Sequence, residues 1–219
     1  MNTLSDITFH LCDIDQSIVD DWKLYFEGLP NFEFHCCDIF SIPLPNDTVN
    51  AIVSPANSFG DLQGGIDLVY YKKFGHILEN KLQKTIMKHK FGELVVGDCL
   101  IVPIGGGYDY QYLISAPTMR VPMDIRNTTN VYLAFRAALI ELIRFNENVN
   151  NDGYFIKHVV CPGLGTGIGK IPPEVCAKQM FHAYNIMINP NFDLELARLS
   201  CEHCVMVDDS PEELFQMDQ

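Results

Sequence analysis

The chain has 219 residues, 47% hydrophobic and 20% charged, so it is long enough to bury a substantial core and too apolar to be disordered. Its formal net charge of −13 leaves no basic stripe to displace the counterions of a polyphosphate, which argues against duplex nucleic acid as a partner. A small anionic ligand stays compatible, because helix N-termini and loop amides supply local positive potential inside an acidic protein. The first residues, MNTLSDITFHLCD, lack the pattern of a secretory leader, and no apolar run reaches bilayer length. No membrane partner and a cytoplasmic location are therefore expected, a nuclear one being compatible, with the eight cysteines as reduced thiols.

Taken in order, residues 7–14 read as a first strand, and Asp15 or Ser17 caps a helix running to about Glu27 with Ile18, Trp22, Tyr25 and Phe26 on one face. Residues 32–40 form a second strand with Asp38 near its end; Cys12, Cys36, Cys99 and Cys161 all fall in such apolar runs, where core filling is expected. Residues 49–53 form a third strand, after which Ser54-Pro55-Ala56-Asn57-Ser58-Phe59-Gly60 is too rich in turn formers to continue it. Gly64-Gly65 follows, and from Ile66 the apolar residues recur at helical spacing; a helix from about Asp67 to Lys90, with a break at Gly75, is predicted.

Strand, glycine-bearing loop and helix in this order place the loop at the carboxyl end of a sheet, where ligands bind. Paired glycines let backbone amides approach a ligand at a helix start, where anions are favoured, which points to a phosphate-containing ligand. Asn57 and Asp67 stand on either rim of that loop.

Residues 94–103 read as a strand, 105–110 as a turn, 112–116 as a strand and 117–123 as an irregular loop in which Arg120 is expected to brace its surroundings through a salt bridge. Residues 130–145 give the clearest amphipathic helix, 146–153 a polar linker, and 155–161 another strand. A second glycine-rich loop, 162–170, precedes a helix opened by Pro172-Pro173 and running to about Ile188. Residues 191–219 hold a short helix, a strand at 204–207 and an acidic tail. The organisation expected is one domain over 1–207 and a tail over 208–219 that is a candidate for disorder. The alternation of strands and helices implies an α/β fold, its sheet largely parallel or mixed and covered on both faces.

Asp38-Ile39 after a strand, VNAIVSPANS, Gly64-Gly65-Ile66-Asp67 and GLGTGIGKIP, in this order over roughly residues 8 to 190, together resemble the macrodomain, the ADP-ribose-binding three-layer α/β/α module with a central mixed, mostly parallel sheet. The resemblance implies that Asp38 accepts the adenine amino group with the Ile39 backbone beside it, and that Asn57 touches the distal ribose. It further implies that Gly64, Gly65 and Ile66 form the first phosphate loop, and Gly165, Thr166, Gly167, Ile168 and Gly169 the second. In the hydrolase branch of the family an asparagine is followed ten positions later by an aspartate in a Gly-Val-Asp sequence; here Asn57 and Asp67 keep that spacing inside Gly-Ile-Asp.

The resemblance thus implies an ADP-ribosyl hydrolase that frees mono-ADP-ribose from an acceptor protein, with Asn57 and Asp67 as the catalytic pair. The alternatives are a non-catalytic ADP-ribose reader and a phosphatase acting on ADP-ribose 1″-phosphate. Asp67 at a helix start also suits capping, and the two roles are compatible. Three departures from the hydrolases stand out: Leu62-Gln63 where they have glycine, Leu68 where they have another glycine, and Gly169 where many relatives carry an aromatic over the distal ribose. Phe59, Tyr108 and Tyr110 are candidates to replace that aromatic. No cofactor or metal is implied; Cys201-Glu202-His203-Cys204 lacks the second ligand pair that structural zinc needs.

Overall fold

The computed structural model describes residues 4–148, 154–189, 193–195 and 198. The expectations for residues 199–219, including a strand at 204–207 and the acidic tail, fall outside these. The described elements are β1 (Thr8–Asp13), α1 (Gln16–Phe26), β2 (Phe32–Cys36), β3 (Val49–Ser54), α2 (Gly65–Phe74), α3 (His76–Lys90), β4 (Leu100–Pro103), β5 (Tyr112–Ser115), α4 (Asn130–Asn148), β6 (Ile156–Cys161) and α5 (Pro173–Ile188).

The strands form one sheet in the order β2-β1-β6-β3-β5-β4. Every pairing is parallel except β4 with β5, so the sheet is mixed and mostly parallel, as expected. Side chains alternate between its faces. Phe9, Leu11, Ala51, Val53, Ile114 and Val159 pack with apolar residues of α1, α4 and α5; Cys12, Ile52, Leu113 and Val160 pack with those of α2 and α3. The central strands are therefore buried on both faces, which accounts for their near-continuous apolar runs and gives a three-layer α/β/α architecture. No helix among the described residues is long and apolar enough to cross a membrane.

Several boundaries differ from the sequence reading, each for a local reason. The strand expected over 94–103 begins only at Leu100. Gly97 has φ +93°, the Leu94 amide donates to the Ser58 carbonyl, and Asp98 turns the chain through a bond from the Cys99 amide. Gly75, with φ +77°, divides 65–90 into two helices at the break expected there. β2 stops at Cys36 because Asp38 opens a short 3₁₀ turn, its Oδ1 accepting from the Phe40 amide at 2.8 Å. Cys36 is exposed and Cys37 half-buried, so the core filling expected of Cys36 does not occur; Cys12, Cys99 and Cys161 are buried. Asp15, not Ser17, caps α1 by accepting from the Ser17 amide at 2.9 Å. Arg120 braces its loop as expected, making two bonds to the Glu93 carboxylate at 2.6 and 3.1 Å.

One polar cluster lies on the sheet face opposite Phe9 and Leu11. His10 of β1 has one ring nitrogen 3.1 Å from His35 of β2 and the other 3.0 Å from His158 of β6. Burial keeps His10 neutral, its pKa lowered to about 4 against the pull of neighbouring Glu33.

Candidate functional site

A cleft of about 450 Å³ opens at the carboxyl ends of β1, β2, β3 and β6. That volume lies within the range of sites that hold small organic ligands. All twelve residues expected at the site line it: Asp38, Ile39, Asn57, Gly64, Gly65, Ile66, Asp67, Gly165, Thr166, Gly167, Ile168 and Gly169. No lysine or arginine is among the lining residues. Positive potential must therefore come from backbone amides of the two glycine loops and from the N-terminus of α2, at Gly64-Gly65.

The sheet order sets the order of the groups. Asp38 follows β2, Asp13 ends β1, the loop 162–170 follows β6, and Ser54 ends β3. At about 4.8 Å per strand, the span from β2 to β3 is roughly 14 Å. An elongated ligand lying across the strand ends meets a carboxylate first, then glycine-loop amides, then the Asn57–Asp67 pair.

At the first end, Asp38 is exposed and held by its bond to the Phe40 amide. Ile39 is buried, its carbonyl accepting from the Tyr110 hydroxyl at 2.9 Å. In the middle, loop two folds back on itself: the Ile171 amide donates to the Gly165 carbonyl, and the Ile125 amide to the Gly169 carbonyl. A β-carbon at Gly169 would lie 2.5 Å from the Gly165 carbonyl oxygen and 2.7 Å from Ile125. This conformation leaves no room for an aromatic there, which explains that departure.

None of the three proposed substitutes for the aromatic lines the cleft. Tyr110 is buried, Tyr108 packs edge-on against Phe74 at 5.0 Å, and Phe59 lies elsewhere. Apolar lining comes instead from Ile14, Val69, Met119, Pro122 and Ile168. Ile168 reaches across from loop two: a β-carbon at Gly64 would sit 2.9 Å from Ile168 Cδ1, so Gly64 is the residue that lets the two loops meet.

At the far end, Asn57 spends its carbonyl oxygen on the amides of Phe59 (2.9 Å) and Asp61 (3.3 Å). Its amide group donates to Asp61 Oδ2 at 3.3 Å, and Gln83 donates to Asp61 Oδ1 at 3.1 Å. Asn57 therefore faces the cleft as a donor. The Leu62-Gln63 departure does not fill the cleft: Leu62 is fully buried in the α2/α3-side core, its amide bonded to Glu79 at 3.0 Å, and Gln63 is exposed.

Asp67 is 6% exposed and lies in the first turn of α2. Its carboxylate accepts from the Ser54 hydroxyl at 2.5 Å. Burial raises its pKa to about 7, and the Ser54 bond opposes the rise. Holding this group ionised costs roughly 4 kcal/mol relative to an exposed aspartate. Its hydrogen-bond partner is a strand side chain rather than an amide of α2, and the N-cap is Gly64, so capping does not describe its environment.

Sequence reasoning missed Ser54, which reads as a turn former yet is the last residue of β3, and Asp61, which orients Asn57. It also missed Asp13, whose Oδ2 accepts from the Gly163 amide at 3.2 Å and ties β1 to loop two.

Comparison with known proteins agrees with this architecture. An uncharacterized protein of Aquifex aeolicus is 33% identical over 131 residues, 60% of this chain and 70% of that one. One from Saccharolobus solfataricus is 26% identical over the same length, 66% of its own chain. Among solved structures, the macrodomain of Mycobacterium tuberculosis DarG superposes with TM-score 0.51 at 23% identity, over 68% of this chain and 86% of that one. An Oceanobacillus iheyensis macrodomain mutant described with ADPR gives TM-score 0.51 at 17% identity, over 72% and 85%. The same organism's macrodomain with ADP gives 0.51 at 19%, over 72% and 83%. The Macro domain family model matches residues 53–180, more than half of the sequence and most of the cleft, and the chain belongs to that family.

Proposed function

We propose that the cleft binds ADP-ribose and that the protein hydrolyses a bond at the distal ribose, releasing mono-ADP-ribose or a group attached to that ribose from an acceptor. The observation that carries this reading is Asp67: a buried carboxylate with pKa about 7, on the same cleft as Asn57 and both glycine loops. A general base is most effective when its pKa lies near the working pH. The order of groups across the strand ends supports the ligand, since a base, a diphosphate and a ribose follow one another as Asp38, the glycine loops and Asn57 do. The relatives described with ADPR and ADP support the same choice.

In this reading the diphosphate rests on the amides of Gly64–Ile66 and Gly165–Ile168, with the Thr166 hydroxyl adding a charge-assisted bond. The Asn57 amide donates to a hydroxyl of the distal ribose. Asp67 accepts a proton from a water as its oxygen attacks the anomeric carbon or an attached acyl carbon. Attack at the anomeric carbon breaks its bond to the acceptor oxygen, which leaves with the electron pair; attack at the acyl carbon breaks the acyl–oxygen bond, and the ribose oxygen leaves with the pair and takes up the proton held by Asp67. No cofactor enters any of these steps.

Two other readings give different products. A reader would hold ADP-ribose and release nothing. A phosphatase would release inorganic phosphate from ADP-ribose 1″-phosphate. The test is a product assay on mono-ADP-ribosylated protein and on ADP-ribose 1″-phosphate, with ADP-ribose binding measured by calorimetry on the same preparation. Free ADP-ribose from the first substrate is the expected result; phosphate alone selects the phosphatase, and binding without product selects the reader.

A further inference from the structure

Away from the cleft, three side chains of β1 and β2 converge on one point. His10 Nδ1, His35 Nε2 and Glu33 Oε2 form a triangle with edges of 3.1, 3.3 and 3.6 Å. A tetrahedral ion with bonds of about 2.0–2.1 Å sets its ligand atoms about 3.3 Å apart, the mean of those edges. A single N–H on His10 Nδ1 can point along only one of the two edges that meet there, whereas a cation at the centre serves all three atoms together.

We infer that His10, His35 and Glu33 form a binding site for one divalent transition-metal ion, zinc being the ion whose geometry fits best.

The register builds the triangle. His10 pairs directly with Glu33 across the parallel β1–β2 ladder, and His35, two residues on, points to the same face as Glu33. Behind His10, its Nε2 lies 3.0 Å from His158 Nδ1. With His10 Nε2–H donating to His158, the Nδ1 lone pair is directed into the triangle, the tautomer that a metal requires. The Glu33 side chain is 56% exposed and that of His35 22%, against 4% for His10. An ion thus has a way in from the sheet edge, and water can supply the fourth ligand. Two imidazoles and a carboxylate suit Zn²⁺, while the hard ions Mg²⁺ and Ca²⁺ prefer oxygen alone.

The site would act on the fold and not on the reaction. It ties β1 to β2 three residues before Asp13 and Asp38 enter the cleft, so an ion there fixes the spacing of the two strands that form one end of it. The inference does not depend on what the cleft binds.

The test uses the full chain after chelator dialysis. Zn²⁺ is titrated by calorimetry and by thermal denaturation, and Co²⁺ by absorption, for wild type, Glu33→Gln and His35→Asn. Both replaced residues are at least partly exposed, so these variants should fold where a His10 variant need not; circular dichroism checks that they do. The expected result is one ion per chain, a rise in Tm with Zn²⁺, and tetrahedral Co²⁺ bands without a sulfur-to-metal charge-transfer band. Affinity should fall at least tenfold in each variant. Absence of binding, binding equal in all three proteins, or a thiolate band lost in Cys201→Ser would each overturn the site and leave the cluster as a hydrogen-bonded histidine network.

Discussion

Asp38, just after β2, and Asp67, in the first turn of α2 after β3, line the same cleft, and the fold treats the two carboxylates in opposite ways. Asp38 is exposed and oriented by a backbone amide. Asp67 is buried, bonded by a serine hydroxyl, and burial pushes its pKa up to about 7. One end of the cleft thus holds its carboxylate in water, and the other holds its carboxylate where burial penalises the charge. A carboxylate that only capped a helix would sit in water among amides at no such cost.

The largest effect that separates the two ends is on turnover. Asp67→Asn keeps the shape and the Ser54 contact but removes the base. Its kcat is expected to fall about 10²- to 10⁴-fold while ADP-ribose affinity stays within a few-fold of wild type, measured by product release and calorimetry. Equal kcat in the two proteins would erase the distinction between the ends.

The burial penalty has a signature in stability. Asp67 has a folded-state pKa above its unfolded value, so the native state binds more protons between about pH 4 and 7. Its stabilising contribution is complete below the unfolded pKa and is lost as pH rises through about 7, at up to about 1.4 kcal/mol per pH unit. Between pH 5 and 8, wild type is expected to lose roughly 2–3 kcal/mol more than Asp67→Asn in urea denaturation. Parallel pH profiles would show that Asp67 carries no such penalty.

Smaller effects belong to the Asp38 end and to the serine. Asp38→Ala removes a charged hydrogen-bond acceptor and is expected to weaken ADP-ribose binding about 10- to 100-fold, raising KM more than it lowers kcat. Ser54→Ala removes the bond that holds the Asp67 pKa down, so the acid limb of the rate profile is expected to move to higher pH by up to about one unit. A shift to lower pH would contradict the role given to Ser54.

These contrasts also mark what could be read from the sequence. Glycines and carboxylates that meet the cleft are close together in the chain or follow apolar strands, so local spacing located Gly64–Asp67 and Gly165–Gly169 while the macrodomain resemblance supplied their roles. What depends on distant packing was not legible. Leu62 looked like bulk added to a ligand loop, yet it points into the α2/α3-side core because Gly60 lets the chain turn against Leu82 and Ile86. Gly169 looked like a missing aromatic, but its constraint comes from the folded-back Gly165 carbonyl and from Ile125, more than forty residues earlier. The pKa of Asp67 depends on the depth of the site, and the His10 cluster on the register of three strands; neither leaves a local pattern.

The most direct test of the central claim, that Asp67 is the base of a hydrolytic site, is the pH dependence of single-turnover release of ADP-ribose from a mono-ADP-ribosylated protein. A rate that rises through about pH 7 in wild type and is slow at every pH in Asp67→Asn is expected. ADP-ribose that binds without any release between pH 5 and 9, or a rising profile that survives in Asp67→Asn, would contradict it.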